Sequence, residues 1–452
     1  MARRPGLARR SARPGSPLFG RPGVRPSDVA VGAGVHNGAV TQIVVAGGGI
    51  AGLQSVTALR ARGYAGRVVM VTGESQAPYD RPPLSKQVLL NDERYDPSLP
   101  FDTEQLDVDL RLETMATGLS DGVLRTSSGD LPFDGLVLAT GSAPIELPGT
   151  GPHTLRTLAD ARRLRAGLRP GARVLIVGAG WIGAEVATAA AARGCAVTVL
   201  ERAEAPVAHA LPSDLGARMI SWYQEAGVRL RTGAVVTRAD ADGVQLADGS
   251  WVPADLVLVS VGVRPATEWL EGSGVSRHQE GNLAGGVGVD GTLRTSLPGV
   301  VAVGDTIARW SERFQARLRT EHWEDAMRGP AVAVTNLLRD LAAEPAHSAV
   351  PAEAADANYD PVPYVWSEQF GRMVQFAGYP PAGVRRVERG SDLAPSVFWL
   401  DERDRIVALL VVDLPKDFVQ GRKLAAVGAT VDPRRLADPA TPVRATVASS
   451  ET

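Results

Sequence analysis

The sequence predicts an α/β chain built on two similar β-turn-α-β units, with a small α+β segment near its C-terminal end. Three observations carry this. The stretch "TQIVVAGGGIAGLQSVTALRARG" followed by "GRVVMVTGE" runs a short apolar strand into a glycine turn, then a helix, then a second apolar strand. The stretch "ARVLIVGAGWIGAEVATAAAARGCAVTVLER" repeats that order about 130 residues later. Towards the end, "MVQFAGY" and "SVFWLDERDRIVALLVV" alternate as strands before a helix around Phe418 to Val427.

Taken in order, the first strand covers Ile43 to Ala46, and its helix runs to about Arg62 with Gly63 as the stop. Between the units, "GVLRTSSGDLPFDGLVLATGSAPIELPG" predicts hairpin strands and then a buried strand ending at Gly141. After the second unit, "DGVQLADGSWVPADLVLVSVGVRP" repeats that plan and ends at Gly262. "GTLRTSLPGVVAVGDTIARW" adds a buried strand ending at Gly304–Asp305, and a helix follows from Trp323 to about Leu341. "AAEPAHSAVPAEAADANYDPVP" has the composition of a linker. The expected division is a leader over 1–40, one unit formed by 41–146 together with 270–341, a second over 147–269, and a C-terminal α+β unit over 342–452.

Composition excludes several classes of function. At 44% hydrophobic and 22% charged residues, the 452-residue chain reads as an ordinary soluble globular protein, expected in the cytoplasm. A net charge of −2 gives no electrostatic footprint for nucleic acid or a membrane surface. No apolar run approaches the roughly 20 residues of a membrane helix. The single cysteine, Cys195, excludes a disulfide framework, a cysteine-ligated metal or cluster, and a redox pair of cysteines. No metal site is expected. The first 40 residues are rich in Arg, Pro, Gly and Ser and have no hydrophobic period. They read as a disordered or non-native leader; their Arg- and Ser-rich, acid-poor composition also leaves a transit peptide open.

Each glycine turn carries a dinucleotide-binding fingerprint, Gly47, Gly49 and Gly52 in the first and Gly178, Gly180 and Gly183 in the second. The first glycine makes the turn, the second lets backbone approach a diphosphate, and the third lets helix and strand pack closely. The helix N-terminus offers its unpaired N–H groups to the phosphates. An acid near the end of the following strand holds ribose hydroxyls; Glu74 and Glu201 stand at that distance. Two such sites on one chain imply two cofactors exchanging electrons, FAD and a nicotinamide. Glu201 favours NADH, because a carboxylate repels a 2′-phosphate, while the adjacent Arg202 leaves NADPH open.

The segments "GGGIAG", "YDRPPLSK", "LVLATG", "GAGWIGAEVA", "VGVRP", "AVGDTIARW" and "EHWEDA", in that order, resemble the FAD-dependent ferredoxin reductases, the family of putidaredoxin reductase and rubredoxin reductase. Members serve oxygenase and cytochrome P450 systems. The resemblance covers roughly Gln42 to Val443 and implies two Rossmann-like dinucleotide-binding domains, as in glutathione reductase, followed by a small α+β domain. It implies that "YDRPPLSK", with Arg81 and Pro83, runs beside the flavin, and that Lys86 pairs with Glu185 and offers its charge to the ring. Ala51, Glu74, Met115, Arg156 and the "ATG" residues Ala139, Thr140 and Gly141 are implied to contact FAD. Gly304 and Asp305 are placed at its ribityl or diphosphate, and Trp323 flanks the ring. Ile182 and Gly262 are implied on the nicotinamide side. Lys86, Glu185 and Trp323 are the implied catalytic residues. Two passages depart from the family pattern: "EDAMRGPAVAV", with Gly and Pro near a helix start, and the glycine-rich arm "SRHQEGNLAGGVGVDG".

The function this implies is transfer of electrons from NADH through FAD to a ferredoxin or similar small iron–sulfur protein that feeds a cytochrome P450 or Rieske oxygenase. A disulfide reductase or NADH peroxidase would need redox cysteines that the chain lacks. A flavin monooxygenase would lack "YDRPPLSK", and a role like that of the apoptosis-inducing factors suits the charge poorly. Arg309, Arg313, Arg317 and Arg319, within "TIARWSERFQARLRTEHW", are the expected docking face for an acidic partner. The expected assembly is a monomer or weak homodimer.

Overall fold

The computed structural model describes residues 41–91, 95–343 and 356–448. The expected leader and most of the expected linker, residues 344–355, lie outside the described residues.

The first unit is a five-stranded parallel sheet in the order Val300–Ala302, Gly135–Leu138, Gln42–Ala46, Arg67–Val71, Val108–Arg111. Gln42–Ala46 is central, and Ile43, Val44 and Val45 are fully buried. Burying each such side chain contributes about 1.5–3 kcal/mol. Helix Ile50–Ala61 follows, and Gly63 ends it at φ +76°, a left-handed geometry in which glycine has no Cβ to clash. Helix Trp323–Ala343 packs against it, with Ala333, Val334 and Leu337 fully buried in the same core. Pro330 lies inside this helix, so the departure "EDAMRGPAVAV" is accommodated without ending it.

The second unit is a four-stranded parallel sheet ordered Arg229–Arg231, Ala196–Leu200, Arg173–Val177, Leu256–Val259. Its helix, Trp181–Ala192, is alanine-rich and packs closely on the sheet. In both sheets the glycine turn sits at the C-terminal end of a central strand, where open α/β sheets place their ligands.

Residues 364–412 form a five-stranded antiparallel sheet ordered Tyr364–Gln369, Arg372–Gly378, Ile406–Val412, Ala394–Leu400, Arg385–Ser391, capped by helix Pro415–Val427. Two of these strands escape sequence patterning. Arg385–Ser391 is an edge strand made mostly of charged residues. Tyr364–Gln369 turns into its neighbour through Phe370 and Gly371, both at positive φ, the backbone of a tight hairpin.

The end of the expected linker is firmly bound. Arg294 pairs with Asp340 and Asp356, and the Tyr359 hydroxyl donates to Asp325 at 2.7 Å. Asp360 accepts from Arg309, from the Ser311 hydroxyl and from the Arg313 N–H. This corrects the expectation for Arg309. Its side chain is 2% exposed, paired with Asp360 at 2.7 Å and laid over the Tyr359 ring, so it cannot present a charge to a docking protein.

Candidate functional site

Both glycine turns open onto one continuous cleft of about 2150 Å³. At Gly47, φ +130°, a Cβ would stand 2.1 Å from the Ala139 carbonyl oxygen; at Gly178, φ +103°, it would stand 2.3 Å from that of Ser260. Cβ atoms on Gly52 and Gly183 would strike the Gly47 and Gly178 carbonyls. The middle glycines differ. A Cβ on Gly49 would have only Arg81 Nε at 4.0 Å, and one on Gly180 only the His209 ring, Cε1 at 3.3 Å. The space that closely packed backbone fills at the outer glycines is therefore open for a ligand at Gly49, while at Gly180 no backbone fills it but the His209 ring stands over the turn. Helices Ile50–Ala61 and Trp181–Ala192 begin there and point their free N–H groups into the cleft. These features fit one dinucleotide at each turn.

At the first turn, Glu74 follows strand Arg67–Val71 and lines the cleft. Arg81 donates to its Oε1 at 2.7 Å and the Tyr79 hydroxyl to its Oε2. Burial above all, with the Glu74 hydrogen bond, pushes the Tyr79 phenol up to about 12, against the pull of Arg81. Asp305 accepts from Arg156 at 2.9 Å and from Ser142 at 3.0 Å. Met115 stands at the rim, 61% exposed.

Between the two turns, residues 82–85 form one 3₁₀ turn with both prolines at its start. This aims Lys86 inward. Its ammonium lies 2.7 Å from Oε2 of Glu185, which the second helix supplies. The Glu185 carboxylate also accepts from the Ser85 hydroxyl and, at 2.6 Å, from that of Ser367 in the C-terminal sheet. Three parts of the fold meet on one carboxylate. Trp323 donates from Nε1 to Asp80 at 2.9 Å and meets Trp366 edge-on at 5.9 Å. Burial raises the Asp80 carboxyl, opposed by the Trp323 bond and by Lys86.

At the second turn, Glu201 ends strand Ala196–Leu200. Its two oxygens accept from the N–H groups of Ala179 and Ala203 at 2.7 and 2.8 Å. The carboxylate is thus tied to the turn while still bordering the cleft.

The sequence pattern of a pyridine nucleotide-disulphide oxidoreductase matches residues 41–329, and that of a reductase C-terminal domain matches 364–447. The chain belongs to the pyridine nucleotide-disulphide oxidoreductase family. It is 36% identical to the ferredoxin–NAD(+) reductase component of an anthranilate 1,2-dioxygenase system from Burkholderia cepacia, over 88% of this chain and 97% of that protein. It is 35% identical to the corresponding component of a p-cumate 2,3-dioxygenase system from Pseudomonas putida, over 90% and 98%. Among solved structures, the covalent putidaredoxin reductase–putidaredoxin complex superposes with a TM-score of 0.78 at 28% identity, covering 89% of this chain and 97% of that one.

Within this oxidoreductase, most residues expected at the site do line the cleft, among them Ala51, Ala139, Thr140, Gly141, Ile182 and Gly262. Four do not. Gly52 and Gly183 serve helix–strand packing, Pro83 is buried with its carbonyl accepting from the Lys86 N–H, and Gly304, φ +72°, leaves room for Ala51. Of the four arginines, Arg317 and Arg319 reach the cleft.

Sequence reasoning missed Ser85, Ser367, Trp366, His209 and Glu321. Glu321 precedes His322 and Trp323 at φ +54°. Its Oε1 is buried, 3.1 Å from Arg319 Nε but without hydrogen-bond alignment. Burial, with Asp305 adding to it, pushes this carboxyl up to about 7 against the pull of Arg319. His322 Nδ1 is buried with no hydrogen-bond partner among the described residues, and burial lowers its pKa. Ser85 and Glu321 lie inside the quoted motifs "YDRPPLSK" and "EHWEDA" without a signal of their own, and only tertiary packing brings Trp366 and His209 to the cleft and Ser367 to Glu185. No helix among the described residues is long and apolar enough to cross a membrane.

Proposed function

We propose that this chain is an FAD-dependent NADH:ferredoxin oxidoreductase, the reductase of an oxygenase system with a cytochrome P450 or a Rieske centre as the final oxygenase. One observation carries the reading: two glycine turns open into a single cleft with the Lys86–Glu185 pair between them, on a chain that holds one cysteine. Electrons gathered there have no dithiol to pass through and must leave directly to an outside acceptor. The relatives named as ferredoxin–NAD(+) reductase components, matched over nearly their whole length, support that acceptor.

We assign FAD to residues 41–146 with 270–341, NADH to 147–269, and a covering role to 342–452. FAD, when bound, takes two electrons as a hydride and gives them up one at a time. Gly49, Ala51 and Glu74 would hold its diphosphate and ribose, with Asp305, fixed by Arg156, on its far portion. Lys86, held in place by Glu185 and the two prolines, would present its positive charge to the ring. Trp323, anchored on Asp80, would shield a ring face from water. Gly180 and Ile182 would receive the nicotinamide dinucleotide, and Glu201 its adenosine ribose. We place the protein in the cytoplasm, as a monomer or weak homodimer, with Arg313, Arg317 and Arg319 as the docking rim for an acidic ferredoxin.

The decisive experiment is purification and anaerobic titration. The protein is expected yellow, with one FAD per chain bleached by NADH and reoxidised by a ferredoxin. A colourless protein that takes up no FAD on reconstitution would sink this reading.

A further inference from the structure

The second glycine turn has a wall that its fingerprint does not foretell. The loop 203–212 folds back across it. The Val207 N–H donates to the Ala179 carbonyl at 3.0 Å, and the Val207 carbonyl accepts from Ala210 and Leu211 at 2.9 and 3.0 Å. Val207 holds φ +49°, a backbone conformation that β-branched residues avoid. It is kept there by burial: it is 1% exposed, in a cluster with Leu211, Trp222 and Trp399. Strain of this kind persists only where the surroundings over-determine it, and it concentrates at ligand sites.

What the strained turn positions is His209. Its Cε1 lies over the middle glycine, 3.3 Å from where a Cβ on Gly180 would stand, and its ring meets Trp181 edge-on at 6.3 Å and 78°. It lines the cleft, and neither ring nitrogen has a hydrogen-bond partner among the described residues. The charged group that acts on it is Glu201 at the strand end, while Arg202 and Glu185 line the same cleft. Glu201 and Glu185 are already engaged, the one by two backbone N–H groups, the other by Lys86 and two hydroxyls. An imidazole with both nitrogens free thus stands over the glycine of the second turn that packed backbone leaves clear.

We propose that His209 is a positioning residue for the diphosphate of the nicotinamide dinucleotide, and that it takes up a proton when the dinucleotide binds, so that binding tightens as pH falls. The inference rests on the function proposed above. The ring is exposed on the cleft wall, where the cleft's partial desolvation favours its neutral form and Glu201 is the opposing influence. A neighbouring diphosphate favours the imidazolium and raises its pKa. By linkage, affinity then rises as pH falls through the interval between the free and bound values.

The test is calorimetric titration of the oxidised holoprotein with NAD+ in two buffers of different ionisation enthalpy. From about pH 8 to about pH 6 the dissociation constant is expected to fall about threefold or more, with net proton uptake. His209→Gln, close in size and unable to ionise, is expected to fold with an unchanged flavin spectrum and to lose both the uptake and the pH dependence. His209→Arg is expected to bind at least as tightly as the parent at the higher pH, with no uptake. Proton uptake that survives in His209→Gln, or a parent that binds NAD+ without uptake, overturns the proposal. A parent that does not bind NAD+ at all overturns the functional reading itself, which is a different result.

Discussion

Lys86 and Glu185 form a buried ion pair, 2.7 Å apart, with side chains 12% and 5% exposed. Removing one partner of such a pair strands the other charge, a cost of about 3–5 kcal/mol, whereas removing both charges costs far less. Lys86→Met is therefore expected to lower the unfolding temperature and to slow bleaching of the flavin by NADH. The double variant Lys86→Met/Glu185→Gln should recover much of the stability and none of the rate. Thermal unfolding and stopped-flow absorbance in the flavin band measure the two effects separately. A double variant as fast as the parent would leave the pair a purely structural role.

Glu201 does two things at once, and the structure separates them. Its carboxylate accepts from Ala179 and Ala203, which fixes the turn, and it borders the cleft where a ribose would lie. Glu201→Gln keeps only one accepting oxygen and turns an amide N–H towards a backbone N–H. Hydrogen bonds to a charged acceptor contribute about 1.5–3 kcal/mol each, so kcat/KM for NADH is expected to fall at least tenfold. The value for NADPH should fall less, because repulsion of the 2′-phosphate disappears. Steady-state kinetics with both nucleotides decide it, and a parent protein that prefers NADPH would show Arg202 to be the dominant partner.

The two glycine units were legible because their signals are local. A strand, a turn that demands glycine and an amphipathic or alanine-rich helix lie within about thirty residues. The Lys86–Glu185 pairing was implied by family resemblance, but its third partner was not: Ser367 is 182 positions from Glu185 and belongs to a strand with no alternation to reveal it. Arg309 was misread for the same reason. In sequence it belongs to an arginine-rich run; in space it belongs to Asp360, 51 positions away. Arg385–Ser391 is a strand by its neighbours' hydrogen bonds and not by its own composition.

Glu321 links stability to pH. Its folded pKa, about 7, lies above its ordinary value of 4.5, so the folded protein holds this proton more tightly than the unfolded chain does. The associated stability is complete below pH 4.5 and is lost as pH rises through about 7. Glu321→Gln removes the ionisation. The variant is expected to be more stable than the parent at about pH 8, on the order of 2 kcal/mol, with the gap closing towards about pH 5. Unfolding temperatures across that range measure it. Parallel curves for parent and variant would show that Arg319 keeps the carboxylate ionised throughout.

The arginines after Asp305 now divide by environment, and the division predicts two phenotypes. Arg309 is buried against Asp360, so Arg309→Ala leaves a carboxylate without its cation and is expected to destabilise the protein by about 3–5 kcal/mol. Both ferredoxin-dependent and ferredoxin-independent activities should then fall together at elevated temperature. Arg313 and Arg317 are exposed, although each also donates to a backbone carbonyl, Arg313 to Ala425 and Arg317 to Val289 and Ala308. Their charges can steer an acidic partner over distances up to the Debye length, about 10 Å at moderate salt. Arg313→Glu/Arg317→Glu is expected to reduce ferredoxin-dependent cytochrome c reduction about tenfold at low ionic strength and less at high, since salt screens the parent's advantage. Direct ferricyanide reduction by NADH needs no docking and should stay near the parent value. Because both substitutions also break carbonyl contacts, Arg313→Gln/Arg317→Gln, which removes charge without reversing it, should show a smaller loss with the same salt dependence. A loss of ferricyanide reduction equal to the loss with ferredoxin would move these arginines from the docking rim to the support of the fold.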